Sequence, residues 1–474
     1  MVLRKGYSRR AILGTGLIGG VSAFALAACG EAEVIEKTVV KEVEVERIVT
    51  VKEEVPVEVV QEVVKEVEVV KEVEVAADAG DFEVFSWWTN AGEVEGLNAL
   101  FQVFQSRVPG INIINAAIAG GSGPGGNAKA VLQTRMLAGE PPDSFQIHWG
   151  HELTDEHVVA DRVENLDGLW DEEGLWDVFP ESFVSASLYE GSVFAVPVNI
   201  HRGNIVWFDR AFFRDSGIPD PTTWDTWDAA FNAMEDIKAG GRTPFGLGES
   251  VPFYTSHVFE DVLASQMSAD AYAGLFNGAT PWNGPEVTAS LEIMKTLITE
   301  YSNQDYLSVE PGAAFEMALN GEAACTINGD WAEGFYRGKG YDGKYGWAPT
   351  PGTQGIYMAL SDAFVVPNGA KNREAAIEWC RVCGSLDGQN QFNHFKGSIP
   401  VRIDANLSYF NTYQKEAIED WNTNTVVQSI VHGFAARQSW ITAFVNTLNV
   451  FAAELDIADT QKTLATDCED AGVC

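Results

Sequence analysis

Alternation of apolar and polar positions opens the globular part of the chain at Phe82. Phe82, Val84 and Ser86 alternate with Glu83, Phe85 and Trp87, and this short run, bounded by Gly80 and by Asn90-Ala-Gly92, reads as a β-strand. Two adjacent indoles, Trp87 and Trp88, close it, and a period of 2 sends them to opposite faces. The period then changes. Leu97, Leu100, Phe101 and Phe104 fall on one face of a helix predicted over 93–107 and stopped by Pro109-Gly110. Residues 111–119 and 145–149 read as strands, 127–138 as a helix, and Pro141-Pro142 as a break. Strand signals return at 191–199 and 203–209. A helix-rich stretch over 226–319 precedes strand-like 323–328 and 363–366 and a helical pattern over 373–385. Repeated strand–helix–strand units predict parallel sheets with helices on both faces. Strands that return after a long helical excursion predict two lobes sharing crossing segments.

Ahead of this lie two segments of other character. Residues 1–29 carry a charged head with Ser8-Arg-Arg-Ala-Ile-Leu13, an apolar run to Ala25, and Leu26-Ala-Ala-Cys29. The twin arginines resemble a twin-arginine export signal and the last four residues a lipoprotein cleavage box, which would make Cys29 a lipidated N-terminus. Residues 30–79 are of low complexity: Val39-Val-Lys-Glu-Val-Glu-Val45 recurs at Val63 to Val69 and at Val69 to Val75. Strand-like alternation without aromatic residues or a turn buries too little to offset ordering entropy. The segment reads as a charged tether, spanning at most about 150 Å at about 3.3 Å per residue.

Charge narrows the partners. A net charge of −37 argues against nucleic acid and leaves membrane association to the lipid. Six cysteines leave five once Cys29 is set aside. Cys468 and Cys474, close together in an exported chain, read as a disulfide closing the tail. Cys380-Arg-Val-Cys383 lies in a helical pattern and stays open between a redox pair, half a metal site and partners for distant cysteines, Cys325 among them.

Three constellations bear on chemistry. Gly121-Ser-Gly-Pro-Gly-Gly126 matches the dinucleotide fingerprint in letter only, with Pro124 inside it and no acidic residue at a second strand end, so a mobile rim loop is the expectation. His148, His151 and His157 with Glu152 lack the two-histidine helical spacing of a zinc protease; a His-rich metal receptor is the alternative weighed, and the expectation is neither metal nor cofactor. The third is scattered: Val198-Asn-Ile-His-Arg-Gly-Asn204, Asn328-Gly-Asp330-Trp331, Ser361-Asp362, Lys396-Gly-Ser-Ile-Pro400 and His432. Each segment taken alone is equally a satisfied turn. No nucleophile elbow and no nucleophile paired with a base is visible.

The run from Phe82 to His432 resembles the family-1 extracellular solute-binding proteins of ABC sugar importers, within them the glucose/mannose-binding group. The resemblance is carried by Ser86-Trp-Trp-Thr89 with Glu93, Ala130-Val-Leu-Gln-Thr-Arg135, Pro141-Pro-Asp143, Phe145-Gln-Ile-His148, Val196 to Asn204, Gly329-Asp-Trp331 and Lys396 to Pro400. It implies a two-lobe α/β clamp, each lobe a mainly parallel sheet with flanking helices, joined by crossing hinge segments. Lobe 1 would comprise 80–203 and 322–368, lobe 2 204–321 and 369–474. It implies ligand contacts at Trp87, Trp88, Glu93, His148, Asp362, Lys396 and His432, with Asp330 beside them and Trp282 or Trp331 as a second stacking aromatic. Lys396, His148 and His432 would donate, Glu93 and Asp362 accept. Relatives often carry Lys where this chain has Gln133, so a charged donor is missing there. The implied role is that of a monomeric, lipid-anchored receptor, outside the cytoplasm, that delivers a glucose- or mannose-like hexose to a membrane permease without catalysis. A glycoside-processing enzyme using Glu93 and Asp362 is the runner-up.

Overall fold

The computed structural model describes residues 80–119 and 125–474. The export signal, Cys29, the tether and most of the glycine-rich loop lie outside the described residues. In chain order the first elements are β1 (Asp81–Phe85), α1 (Glu93–Arg107), β2 (Asn112–Asn115), α2 (Gly126–Leu137) and β3 (Ser144–His148). The remaining strands are β4 (Val196–Pro197), β5 (His201–Arg202), β6 (Ile205–Asp209), β7 (Thr243–Phe245), β8 (Ala323–Ile327), β9 (Tyr345–Pro349), β10 (Ile356–Leu360), β11 (Asp362–Val365) and β12 (Thr425–Gln428).

These strands form three sheets, ordered β2-β1-β3-β11-β4, β7-β8-β6-β9 and β12-β10-β5. In the first, Phe82 and Val84 of β1 are wholly buried while Glu83 turns outward and is held by Arg135 at 2.6 and 2.7 Å. The predicted apolar face of α1 is buried throughout, and α1 packs on the helix Leu386–Lys396. Residues β4, β5 and β6 follow one another almost without interruption, so the chain passes from the first sheet through the small third sheet into the second. It returns through β10 and β11, separated only by Ser361. Two such passes through one three-stranded sheet make a hinge: two lobes linked by short, nearly extended segments, as two-lobe clamps require.

Two expectations are corrected. Neither sheet is mainly parallel throughout. In the first sheet β1 is parallel to β2 and β3 but β11 is antiparallel to β3 and β4; in the second only β7 and β8 run parallel. The crossing strands impose this, because a segment arriving from the other lobe enters the sheet from the opposite end. The lobe boundaries also move. Ala323–Ile327 bonds to β6 and so belongs with the second sheet, as does β9. The helices Arg373–Gly384 and Leu386–Lys396 pack on α1, β4 and β11 of the first lobe, not in the second.

The C-terminal helices Gln438–Glu454 and Ile457–Asp470 pack on each other, the former also on the helix Tyr254–Gln266. Cys468 and Cys474 form the expected disulfide; Cys325, Cys380 and Cys383 are buried free thiols. No described helix is long and apolar enough to cross a membrane.

Candidate functional site

The carboxyl ends of β1 and β3 and the start of β11 lie at one edge of the first sheet, where Asp362 pairs in register with His148. Open α/β sheets bind ligands at this edge. The two indoles that close β1 part company there, as a period of 2 requires. Trp88 is 1% exposed and packs on Phe392 and Phe364 with ring centroids 4.8 and 5.6 Å away. Trp87 stays half-buried, tilted against His148 at 5.0 Å. Gly125, in the left-handed region with φ +78°, lets the start of α2 close on Trp87: a Cβ there would sit 2.7 Å from the indole.

Charges around this edge are paired. From the first turn of α2, the Lys129 ammonium lies 5.3 Å from the Trp87 ring centroid and donates to Glu152 Oε2 at 2.7 Å and to Gln438 Oε1 at 3.1 Å. His148 Nδ1 is also 2.7 Å from Glu152 Oε2. Burial alone would raise the Glu152 carboxyl, but Lys129 and His148 outweigh it and hold it at about 2. Asp362 accepts from Gln146 Nε2 at 2.7 Å and Asn199 Nδ2 at 2.9 Å, with His201 Nε2 at 3.3 Å. Burial opposes ionisation there too, yet His201, His148 and Lys396 keep it well below the usual carboxylate range. Asp330 accepts from His201 Nδ1, Arg202 N–H and the Tyr413 hydroxyl. Glu93 accepts the N–H groups of Thr89 and Asn90 and takes Lys396 Nζ at 3.3 Å, while that ammonium lies 5.8 Å from the Trp88 ring centroid.

The facing wall comes from the second lobe and the turn after β12. Trp331, half-buried at the start of the helix Trp331–Gly338, lies 5.1 Å from His432, 5.5 Å from His257 and 5.6 Å from His201 between ring centroids. His432 in turn is 5.9 Å from His148 across the cleft. Here partners run out: His432 Nε2 and both ring nitrogens of His257 are buried without a hydrogen bond among the described residues. Burial drives the His432 pKa down to about 3, so its ring is neutral. His257, Glu260 and His432 present three ligand atoms within 4.8 Å of one another, the one described cluster of a size to hold a metal ion.

Two lobes, a crossing hinge and a cleft between strand ends describe a receptor, and comparison with known proteins agrees. Residues 89–389 match the model of the bacterial extracellular solute-binding proteins. The chain belongs to that family. This solute-binding protein is 34% identical, over 82% of its own length and 87% of the other, to an uncharacterized ABC transporter extracellular-binding protein of Pyrococcus horikoshii. It is 28% identical to the xylose/arabinose-binding protein XacG of Haloferax volcanii, over 74% and 76% of the two chains. Among solved structures, the bacterial solute receptor AcbH, described as exclusive for β-D-galactopyranose, superposes with a TM-score of 0.73 at 16% identity, covering 83% of this chain and all but 1% of that one, 99%. Members of this family bind solutes and are not enzymes, which removes the glycoside-processing alternative.

Of the residues singled out in the sequence, the solute-binding protein gathers Trp87, Glu93, His148, Asp330, Trp331, Asp362, Lys396 and His432 around the cleft. Three are placed otherwise. Trp88 is core, enclosed by Phe392, Phe364 and Lys396. Trp282 is buried against Trp440 and Phe444, its indole N–H donating to Leu275, so of the two aromatic candidates only Trp331 stands at the cleft. Gln133 is exposed on the outer part of α2. One helical turn earlier a cation, Lys129, stands beside Trp87. His151 is exposed against Asp155, and His157 is half-buried against Phe145, so neither joins His148. Residues not foreseen are Lys129, His257, Glu260 and Ser429; Gln146, Glu152 and Asn199 stood in the quoted motifs without a place in the expected ligand set.

Proposed function

We propose that this solute-binding protein is the sugar receptor of an ABC importer and that its ligand is a neutral hexose or pentose held between Trp87 and Trp331. The observation that carries this reading is the pairing of two half-buried indoles from opposite lobes with unpartnered imidazole nitrogens between them. Indole faces suit the C–H faces of a pyranose, and the nitrogens suit its hydroxyls. Acidic and basic groups nearby are already matched, which disfavours a charged ligand: an extra phosphate or carboxylate would meet Glu93, Glu152 and Asp362 with Lys129 and Lys396, the cations beside them among the described residues, already paired. The relatives' names support a sugar, and their spread over pentoses and galactose leaves the stereochemistry to the side chains of the cleft. Gln133, exposed, takes no part.

A ligand touching both lobes binds the closed form better than the open one, and only that difference shifts the equilibrium. Lys129 and Gln438 tie α2 to the helix Gln438–Glu454 and would report closure. With Cys29 lipidated and residues 30–79 as a tether, the closed receptor would reach its permease at the membrane. A thermal-shift panel of glucose, mannose, galactose, xylose and arabinose tests the reading. A ligand at a hundredfold excess over its Kd stabilises by about 2.7 kcal/mol, so a rise in Tm with one or two neutral sugars is the expected result. Stabilisation by sugar phosphates alone would overturn it.

A further inference from the structure

The turn that carries His432 is tied to one buried acid. Glu260 lies on the helix Tyr254–Gln266 with none of its surface exposed. Its Oε2 accepts the N–H groups of Ile430 and Val431 at 2.8 and 3.2 Å, and its Oε1 lies 2.8 Å from Ser429 Oγ. Burial alone would raise this carboxyl, yet the hydroxyl and N–H donors around it keep it below its ordinary value. An ionised carboxylate only accepts, so the single hydroxyl proton of Ser429 points to Glu260. The other contacts of Ser429 Oγ are with His432 N–H at 3.2 Å and His432 Nδ1 at 2.8 Å. With its own proton committed, Oγ can only accept from both. The proton of the neutral imidazole is therefore on Nδ1, and Nε2 carries a bare lone pair. That nitrogen is buried and unpartnered, among Trp331, His257, Phe253 and His148.

We propose that Glu260 and Ser429 fix the tautomer of His432, so that its Nε2 accepts a hydrogen bond from a ligand hydroxyl and the receptor demands a free O–H at that one position of the sugar. The inference rests on the sugar-receptor reading and deepens it. Glu260 and Ser429 are positioning residues. A buried acceptor without a donor is costly, so an analogue that cannot donate there is rejected more strongly than one altered elsewhere.

Long-range nitrogen NMR on the ¹⁵N-histidine-labelled protein without sugar reads the tautomer directly, with His432→Gln identifying the signal. The expected spectrum shows protonated Nδ1 and bare Nε2 in the native protein, a loss of that preference in Ser429→Ala, and its return in Ser429→Thr, which keeps a hydroxyl. In the second arm, deoxyfluoro analogues of the bound sugar are titrated, because fluorine accepts weakly and cannot donate. One position is expected to lose at least tenfold in affinity in the native protein and less than threefold in Ser429→Ala. Nε2–H in the native spectrum, or fluorination tolerated at every position, overturns the proposal. So does Zn²⁺ alone binding with displacement of the Nδ1 proton, which would make His257, Glu260 and His432 a metal site. A protein that shows the expected tautomer but binds no neutral sugar refutes the receptor reading separately, and with it the ligand half of the proposal.

Discussion

The two walls of the cleft differ in how their polar groups are spent. On the first-lobe side Glu152, Asp362 and Glu93 each hold two or more partners, and Lys129 and Lys396 sit against carboxylates. On the other side His257 and His432 keep buried nitrogens without a hydrogen bond among the described residues. Saturated networks fix geometry and change little when a ligand arrives. Unsaturated groups cost stability in the empty protein and recover it on binding, so the second wall is where affinity and selectivity are decided.

The contrast can be broken hardest at the paired indoles. Trp88→Ala should cost about 3–5 kcal/mol of stability, as large core truncations do, visible as a collapse of Tm or of soluble yield. Trp87→Ala should leave Tm nearly unchanged while weakening sugar binding, read by calorimetry. Next comes the first-wall network. Lys129→Met strips Glu152 of its cation and should destabilise by up to about 3 kcal/mol, less than a fully buried pair because Lys129 is half-buried. Toward acid the sign is set by the depressed carboxyls, Glu152, Glu260 and Asp362. Glu152 and Glu260 have folded pKa values of about 2 against ordinary values of 4.5. Their stabilising contribution is thus complete above about pH 4.5 and is lost as pH falls toward 2. In Lys129→Met the Glu152 carboxyl rises, and the acid limb of a Tm-versus-pH profile should move to higher pH. At the second wall, His432→Ala should lower affinity at least tenfold with only a modest fall in Tm, since the lost ring packing and bond to Ser429 are partly offset by removal of an unsatisfied buried acceptor. Smallest of all, Gln133→Ala on the exposed side of α2 should stay within about 0.5 kcal/mol in stability and twofold in affinity.

Much of this was legible where local periodicity and function coincide. The alternation Phe82-Glu-Val-Phe-Ser-Trp-Trp placed one indole outward and one inward, although it could not say which, because the face that meets the core depends on the helices packed behind it. The predicted helix over 93–107 agrees with α1 end to end. The crossing segments were visible as returning strands, but their lobe membership was not: pairing of Ala323–Ile327 with β6 is a long-range choice with no local mark. Lys129 was overlooked in favour of Gln133, although the strand-end rule favours the first turn of α2, which points at the cleft, over the second. Glu260 left a weaker trace, an acid in a helix that buries every residue from Tyr254 to Ala264. Its partners at Ser429 to Val431 are brought to it only by the fold.

The most direct test of the sugar-receptor reading is isothermal titration of the neutral monosaccharide panel into the native protein and into His432→Ala. The account predicts one-to-one binding of a neutral sugar by the native protein, weakened at least tenfold in a variant that remains cooperatively folded. Equal affinity in the two proteins, or heat only with charged ligands, would contradict it.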